Sequence, residues 1–113
     1  MSWKHGDVIL VDFPFVDRFG SKQRPALIVS GAIYHQERTQ DIIVAVISSQ
    51  VHKYNGQTDY TLKDWQLAGL FQPSVVRSTL LTILSSRIDH KIGSLSSTDL
   101  REVESRLKLS LEL

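Results

Sequence analysis

The chain has no cysteine, only 3 prolines in 113 residues, and almost no excess of either charge, with 13 Lys and Arg against 12 Asp and Glu. The missing cysteines exclude disulfides, thiolate zinc sites, iron–sulfur clusters and a thiol nucleophile together. A formal net charge of +1 gives no global attraction to nucleic acid, so any such contact must rest on a local cluster. No apolar run approaches the roughly 20 residues of a membrane helix. The start, Met1 to Asp7, lacks the apolar stretch and small-residue cleavage site of a signal peptide. No phosphate-binding or dinucleotide glycine pattern occurs, so no nucleotide cofactor is expected. No histidine pair has a metal-ligand spacing, so no metal is expected either. What remains is an ordinary apolar fraction of 42%, which predicts one folded domain over residues 1–113.

Short β-branched blocks punctuated by turn residues dominate the first three quarters. Val8 to Phe13 reads as a strand that stops at Pro14, followed by an aperiodic polar loop from Pro14 to Gln23. Arg24-Pro25 opens a second strand over Ala26 to Val29, with the proline at its first position. Ala32 to Arg38 suits a short helical turn. Ile42 to Ile47 is the most apolar run and predicts a central strand that ends abruptly at Ser48-Ser49-Gln50. Asn55-Gly56 is the strongest hairpin signal, leading into a half-exposed strand through Thr58, Tyr60 and Leu62. Gly69 and Pro73 bracket a connection to Ser74–Arg77, and Thr79 to Leu84 reads as another short strand. Leu100, Val103, Leu107 and Leu111 then mark one face of a closing helix, with Ser96 as N-cap and Leu95 stapled onto Leu100. The expected fold is mainly β: five to six short antiparallel strands curled into a small barrel, closed by a C-terminal helix.

His5, His35, His52 and His90 all fall in stretches read as termini, turns or loops, and none forms a recognisable catalytic motif with a carboxylate. They are expected to be solvated surface side chains. Two features stand out. Arg24 sits where a polar loop enters a buried strand, and Ser48-Ser49 where the most apolar strand ends. Neighbouring antiparallel strands can bring these ends to one rim. A guanidinium there would bind phosphate oxygens two at a time, and a hydroxyl would add a hydrogen bond without charge. By spacing alone, a surface cation and two strand-ending serines account for the same pattern.

Several blocks in order carry a resemblance. Gly6-Asp7-Val8-Ile9, Gly20-Ser21-Lys22-Gln23, Arg24-Pro25-Ala26-Leu27-Ile28-Val29-Ser30, Val44 to Gln50, Ser74-Val75-Val76-Arg77, Arg87-Ile88 and Ile92-Gly93-Ser94-Leu95 together resemble the MazF/PemK family, toxins of bacterial type II toxin–antitoxin modules. The resemblance runs from Gly6 to the final helix. It implies an SH3-like barrel, a homodimer, and a cytoplasmic, growth-inhibiting mRNA interferase. Such an endoribonuclease is sequence-specific, works without metal and cuts single-stranded RNA. It also implies a cognate antitoxin whose disordered acidic tail covers the RNA groove. By position, Arg24 matches the family's catalytic arginine, and Ser48 a catalytic position usually held by threonine. Gln50 lies in the same segment, and Ser49 and Gln50 are candidate RNA contacts. The sequence departs from the pattern at Lys22, where members often carry glutamate.

The chemistry this implies is attack of the 2′-hydroxyl on the adjacent phosphorus, leaving a 2′,3′-cyclic phosphate and a 5′-hydroxyl. Arg24 and Ser48 would stabilise the charge that develops on phosphorus. An arginine is a poor base, so the proton-transfer group is not identified by the sequence. In the loop Pro14 to Gln23, Phe19 is the candidate base-stacking residue, with Arg18 and Lys22 following phosphates. Leu107, Leu109, Leu111 and Leu113 supply more apolar positions than one buried stripe needs, which suits either the monomer's core or a second subunit. A gyrase-poisoning toxin of the CcdB type and a non-catalytic binding module are the alternative readings of the same fold.

Overall fold

A computed structural model describes residues 3–13 and 22–113, with residue 22 described by its backbone alone. The element order is β1 (Asp7–Phe13), β2 (Lys22–Ile28), α1 (Ala32–Glu37), β3 (Asp41–Ser48), β4 (Tyr60–Thr61), β5 (Val75–Leu84), a single 3-10 turn (Ser85–Arg87), β6 (Ile88–Ser94) and α2 (Ser97–Leu111). Six strands form one antiparallel sheet in the order β4-β5-β3-β2-β1-β6. The sheet is not closed, but it is strongly curled. Ile83 of β5 and Ile88 of β6 pack against the same apolar cluster, although four strand steps separate their strands.

The apolar runs of β1, β2 and β3 are nearly continuous because both faces of these strands are covered. Alternate residues feed two cores. Val8, Leu27, Ala45 and Ile47 meet Tyr60, Leu62 and Val103 on one face. Ile9, Val11, Ala26, Ile28 and Val44 form the other. Helix α2 lies over the first face through Val103, with Leu100 and Leu107 packed beside it. Ser96 caps the helix by accepting a hydrogen bond from the Asp99 backbone N–H at 3.2 Å, as the sequence predicts.

Three expectations are corrected. Asn55-Gly56 does not join a hairpin. The turn closes one step later, with the Asp59 N–H donating to the Gly56 carbonyl, and β3 pairs with β5 rather than with the short β4. The two segments Ser74–Arg77 and Thr79–Leu84 are one ten-residue strand, whose polar Ser78 turns aside to donate to the Thr58 carbonyl. Pro25 lies within β2 rather than at its start. It is tolerated because pairing to β3 begins only at Ala26, so one side of Pro25 has no ladder to feed.

Asp99 ties the helix to the sheet. Its buried carboxylate accepts from the Tyr60 hydroxyl at 2.8 Å and from the backbone N–H groups of Lys63 and Asp64 at 3.2 and 2.9 Å. The segment that follows is pressed onto β6. A Cβ on Gly69 would overlap the Ile92 carbonyl, and one on Gly93 would overlap the Ala68 carbonyl, so only glycines allow this approach. Gly69 also takes a φ of +84°, which favours glycine on its own account. Leu70 and Phe71 are thereby held beside the open end of the sheet.

Candidate nucleic-acid interface

A groove of about 820 Å³ opens where the β2–β3 ladder stops. The outermost pair of that ladder is Ala26–Val46, and Pro25 has no N–H with which to extend it. Continuing the register two residues outward sets Arg24 opposite Ser48. Arg24 pairs with Val11 on its other side, and Ser48 with Val75. Both residues line the groove, together with Ser49 and Gln50. Arg24 is exposed.

The Ser48 hydroxyl oxygen accepts a hydrogen bond from the Gln50 backbone N–H at 3.1 Å. That contact occupies a lone pair and leaves the hydroxyl proton available for donation into the groove. Ser49 and Gln50 are exposed at the strand exit. Arg18 and Phe19 lie outside the described residues, as does the side chain of Lys22.

The groove brings in residues that the sequence reading did not assign. Arg77 of β5 supplies a second guanidinium, stacked on the Tyr54 ring with 3.8 Å between the guanidinium carbon and the ring centre. Phe71, 97% exposed, lies on the rim. His90 of β6 also lines the groove, and its Nδ1 is 2.6 Å from Asp89 Oδ2. None carries a local signal. They converge because β5 and the segment before it adjoin β3, which bears Ser48, while β6 borders β1, the neighbour of the strand that bears Arg24.

The expectation of four solvated histidines is also corrected. His5 is partly buried and bridges the Val29 carbonyl and Glu104. His35, likewise partly buried, bridges the buried Ser30 hydroxyl and the Trp3 carbonyl. Both join chain segments far apart in sequence, which no local pattern reveals. Among the described residues, no group of three or more His, Cys, Asp or Glu is arranged to hold a metal ion. No helix among them is long and apolar enough to cross a membrane.

Residues 4–111 match the model of the PemK-like, MazF-like toxins of type II toxin–antitoxin systems. The chain belongs to this family. No curated protein sequence gives a significant match to this MazF-like toxin. Solved structures share its fold at low identity. A mycobacterial endoribonuclease in complex with its cognate antitoxin has a TM-score of 0.78 at 15% identity, over 99% of this chain and 97% of that one. The Mycobacterium tuberculosis toxin MazF-mt6 gives 0.75 at 21%, over 95% and 97%. MazF of Deinococcus radiodurans gives 0.74 at 22%, over 100% and 99%. The same Deinococcus toxin has also been solved as a MazE–MazF complex.

Proposed function

We propose that this MazF-like toxin is a metal-independent endoribonuclease that cuts single-stranded RNA, with mRNA in the cytoplasm as its target, at short sequence motifs. The observation that carries the reading is that Arg24 and Ser48 line one groove where the β2–β3 ladder ends. In the reaction, the substrate's 2′-oxygen attacks the adjacent phosphorus in line and the bond to the 5′-oxygen breaks. A 2′,3′-cyclic phosphate and a 5′-hydroxyl remain. The Arg24 guanidinium faces the non-bridging oxygens as negative charge builds up on them, and the Ser48 hydroxyl donates to one of them. Arg77, held against Tyr54, serves a neighbouring phosphate. Ser49 and Gln50 offer hydrogen bonds to bases or sugars. Stacking on the exposed ring of Phe71 requires an unpaired base, which favours single strands over duplex, and dependence on the 2′-hydroxyl excludes DNA.

The same groove suits an antitoxin segment that is acidic and partly apolar, since Arg24 and Arg77 stand among Leu10, Leu70 and Phe71. A disordered tail of that composition would fold onto the toxin as it binds. Homodimerisation belongs to this reading as well. Leu109, Leu111 and Leu113 are exposed at the end of α2, and Leu81 and Leu84 on β5, where β4 pairs only with Val75 and Val76.

The test is incubation of purified protein with end-labelled RNA in the presence of EDTA. Discrete fragments whose 5′ ends accept phosphate from a kinase without prior dephosphorylation are expected. Intact RNA, or 5′-phosphorylated products, would overturn the reading.

A further inference from the structure

The reaction above needs a group to remove the 2′ proton, and neither guanidinium in the groove is suited to it, because arginine stays protonated. His90 has the required placement. It pairs with Leu10 on β1, and Leu10 pairs with Pro25 on β2, the residue next to Arg24, so His90 and Arg24 stand on the two strands that border β1. Neighbouring strands are about 4.8 Å apart, so the two backbones are roughly 10 Å from each other. Both residues line the groove.

The protonation geometry is equally specific. Asp89 Oδ2, 2.6 Å from His90 Nδ1, can only accept when ionised, so the ring proton of the neutral imidazole belongs on Nδ1. Nε2 then carries a lone pair, and it has no hydrogen-bond partner among the described residues. An imidazole oriented by a carboxylate, with Nε2 open to the groove, is the arrangement that a general base needs. His5 and His35 differ, because both nitrogens of each are engaged.

We propose that His90 is the general base of this toxin and Asp89 its positioning residue, an inference that rests on the endoribonuclease reading. As the 2′-oxygen forms its bond to phosphorus, its proton passes to His90 Nε2. The P–O5′ bond breaks with its electron pair on O5′, which takes a proton from a water molecule in the open groove. The hydroxide left behind neutralises the imidazolium, restoring His90 for the next turnover. The charged and titratable groups sharing the groove are Arg24, Arg77 and Tyr54, with Asp89 on the same strand. The adjacent Lys91 is held by Asp7 at 3.1 Å.

The experiment compares single-turnover and steady-state cleavage of a labelled single-stranded RNA by wild type, Arg24→Ala, His90→Ala and Asp89→Asn across pH, with folding checked by circular dichroism. His90→Ala should lose about 100-fold or more in kcat with KM unchanged, as expected for loss of a proton-transfer group. It should also lose the ascending limb of the pH–rate profile and recover activity when imidazole is added. Asp89→Asn should fall by less and shift that limb. Wild-type kinetics in His90→Ala, or a loss that leaves the limb in place and that imidazole does not restore, would overturn the proposal. If that happens while Arg24→Ala is inactive, the nuclease reading stands and only His90 is dismissed. A wild type that cleaves nothing would remove both.

Discussion

The guanidinium carbon of Arg77 lies 3.8 Å from the centre of the Tyr54 ring, with the Lys53 ammonium 5.3 Å from the same ring. The ring thus holds one cation over its face in the groove, on the strand next to Ser48. A cation fixed in this way loses less side-chain freedom when it meets a phosphate.

Tyr54→Ala is therefore expected to weaken RNA binding by about 2- to 30-fold, corresponding to the roughly 0.5–2 kcal/mol of a cation–π contact. Tyr54→Phe should keep wild-type affinity. Fluorescence anisotropy with a labelled oligonucleotide, in an Arg24→Ala background that does not cut it, reads both.

Phe71 leaves almost its whole ring in water, where packing cannot account for it. Phe71→Ala should fold as the wild type does and lose about 1–3 kcal/mol of affinity for unpaired RNA, the usual value of one stacked base. Phe71→Trp should retain it. Equal affinities in all three proteins would remove Phe71 from the RNA path.

Asp99 accepts from Tyr60, Lys63 and Asp64 while buried. Replacing its carboxylate by an amide turns an NH2 group toward donors. Asp99→Asn should destabilise the fold by about 1–3 kcal/mol in urea unfolding. Because this contact anchors the segment leading to Phe71, cleavage should fall as well.

The Tyr60 phenol is pushed above its ordinary range, first by burial and then by its hydrogen bond to Asp99. A folded-state value above the unfolded one contributes stability at pH values below the unfolded phenol's, about 10. That contribution is lost as pH rises beyond it. Unfolding midpoints should hold up to about pH 10 and decline above it, and Tyr60→Phe should flatten the decline.

Much of the fold was legible because its signals are local. The unbroken apolar run of β3 and the Ser96–Asp99 cap with its spaced leucines depend on neighbours in sequence. β6 escaped notice because Asp89, His90 and Lys91 face water and register shifts against β1 interrupt its alternation. The Asn55-Gly56 signal misled because β5, which begins only at Val75, is the better partner for β3. The site divides in the same way. Arg24 and Ser48 stand out as polar ends of buried strands, whereas Arg77, Phe71 and His90 reach the groove only through the strand order β5-β3-β2-β1-β6.

Primer extension on a long RNA, after treatment with wild-type or Arg24→Ala protein, tests the central claim most directly. Wild type should give discrete stops at a recurring short motif. Folded Arg24→Ala should give none, since losing a preorganised charge contact typically costs about 100- to 1000-fold in rate. Identical stops of equal intensity from the two proteins would contradict it.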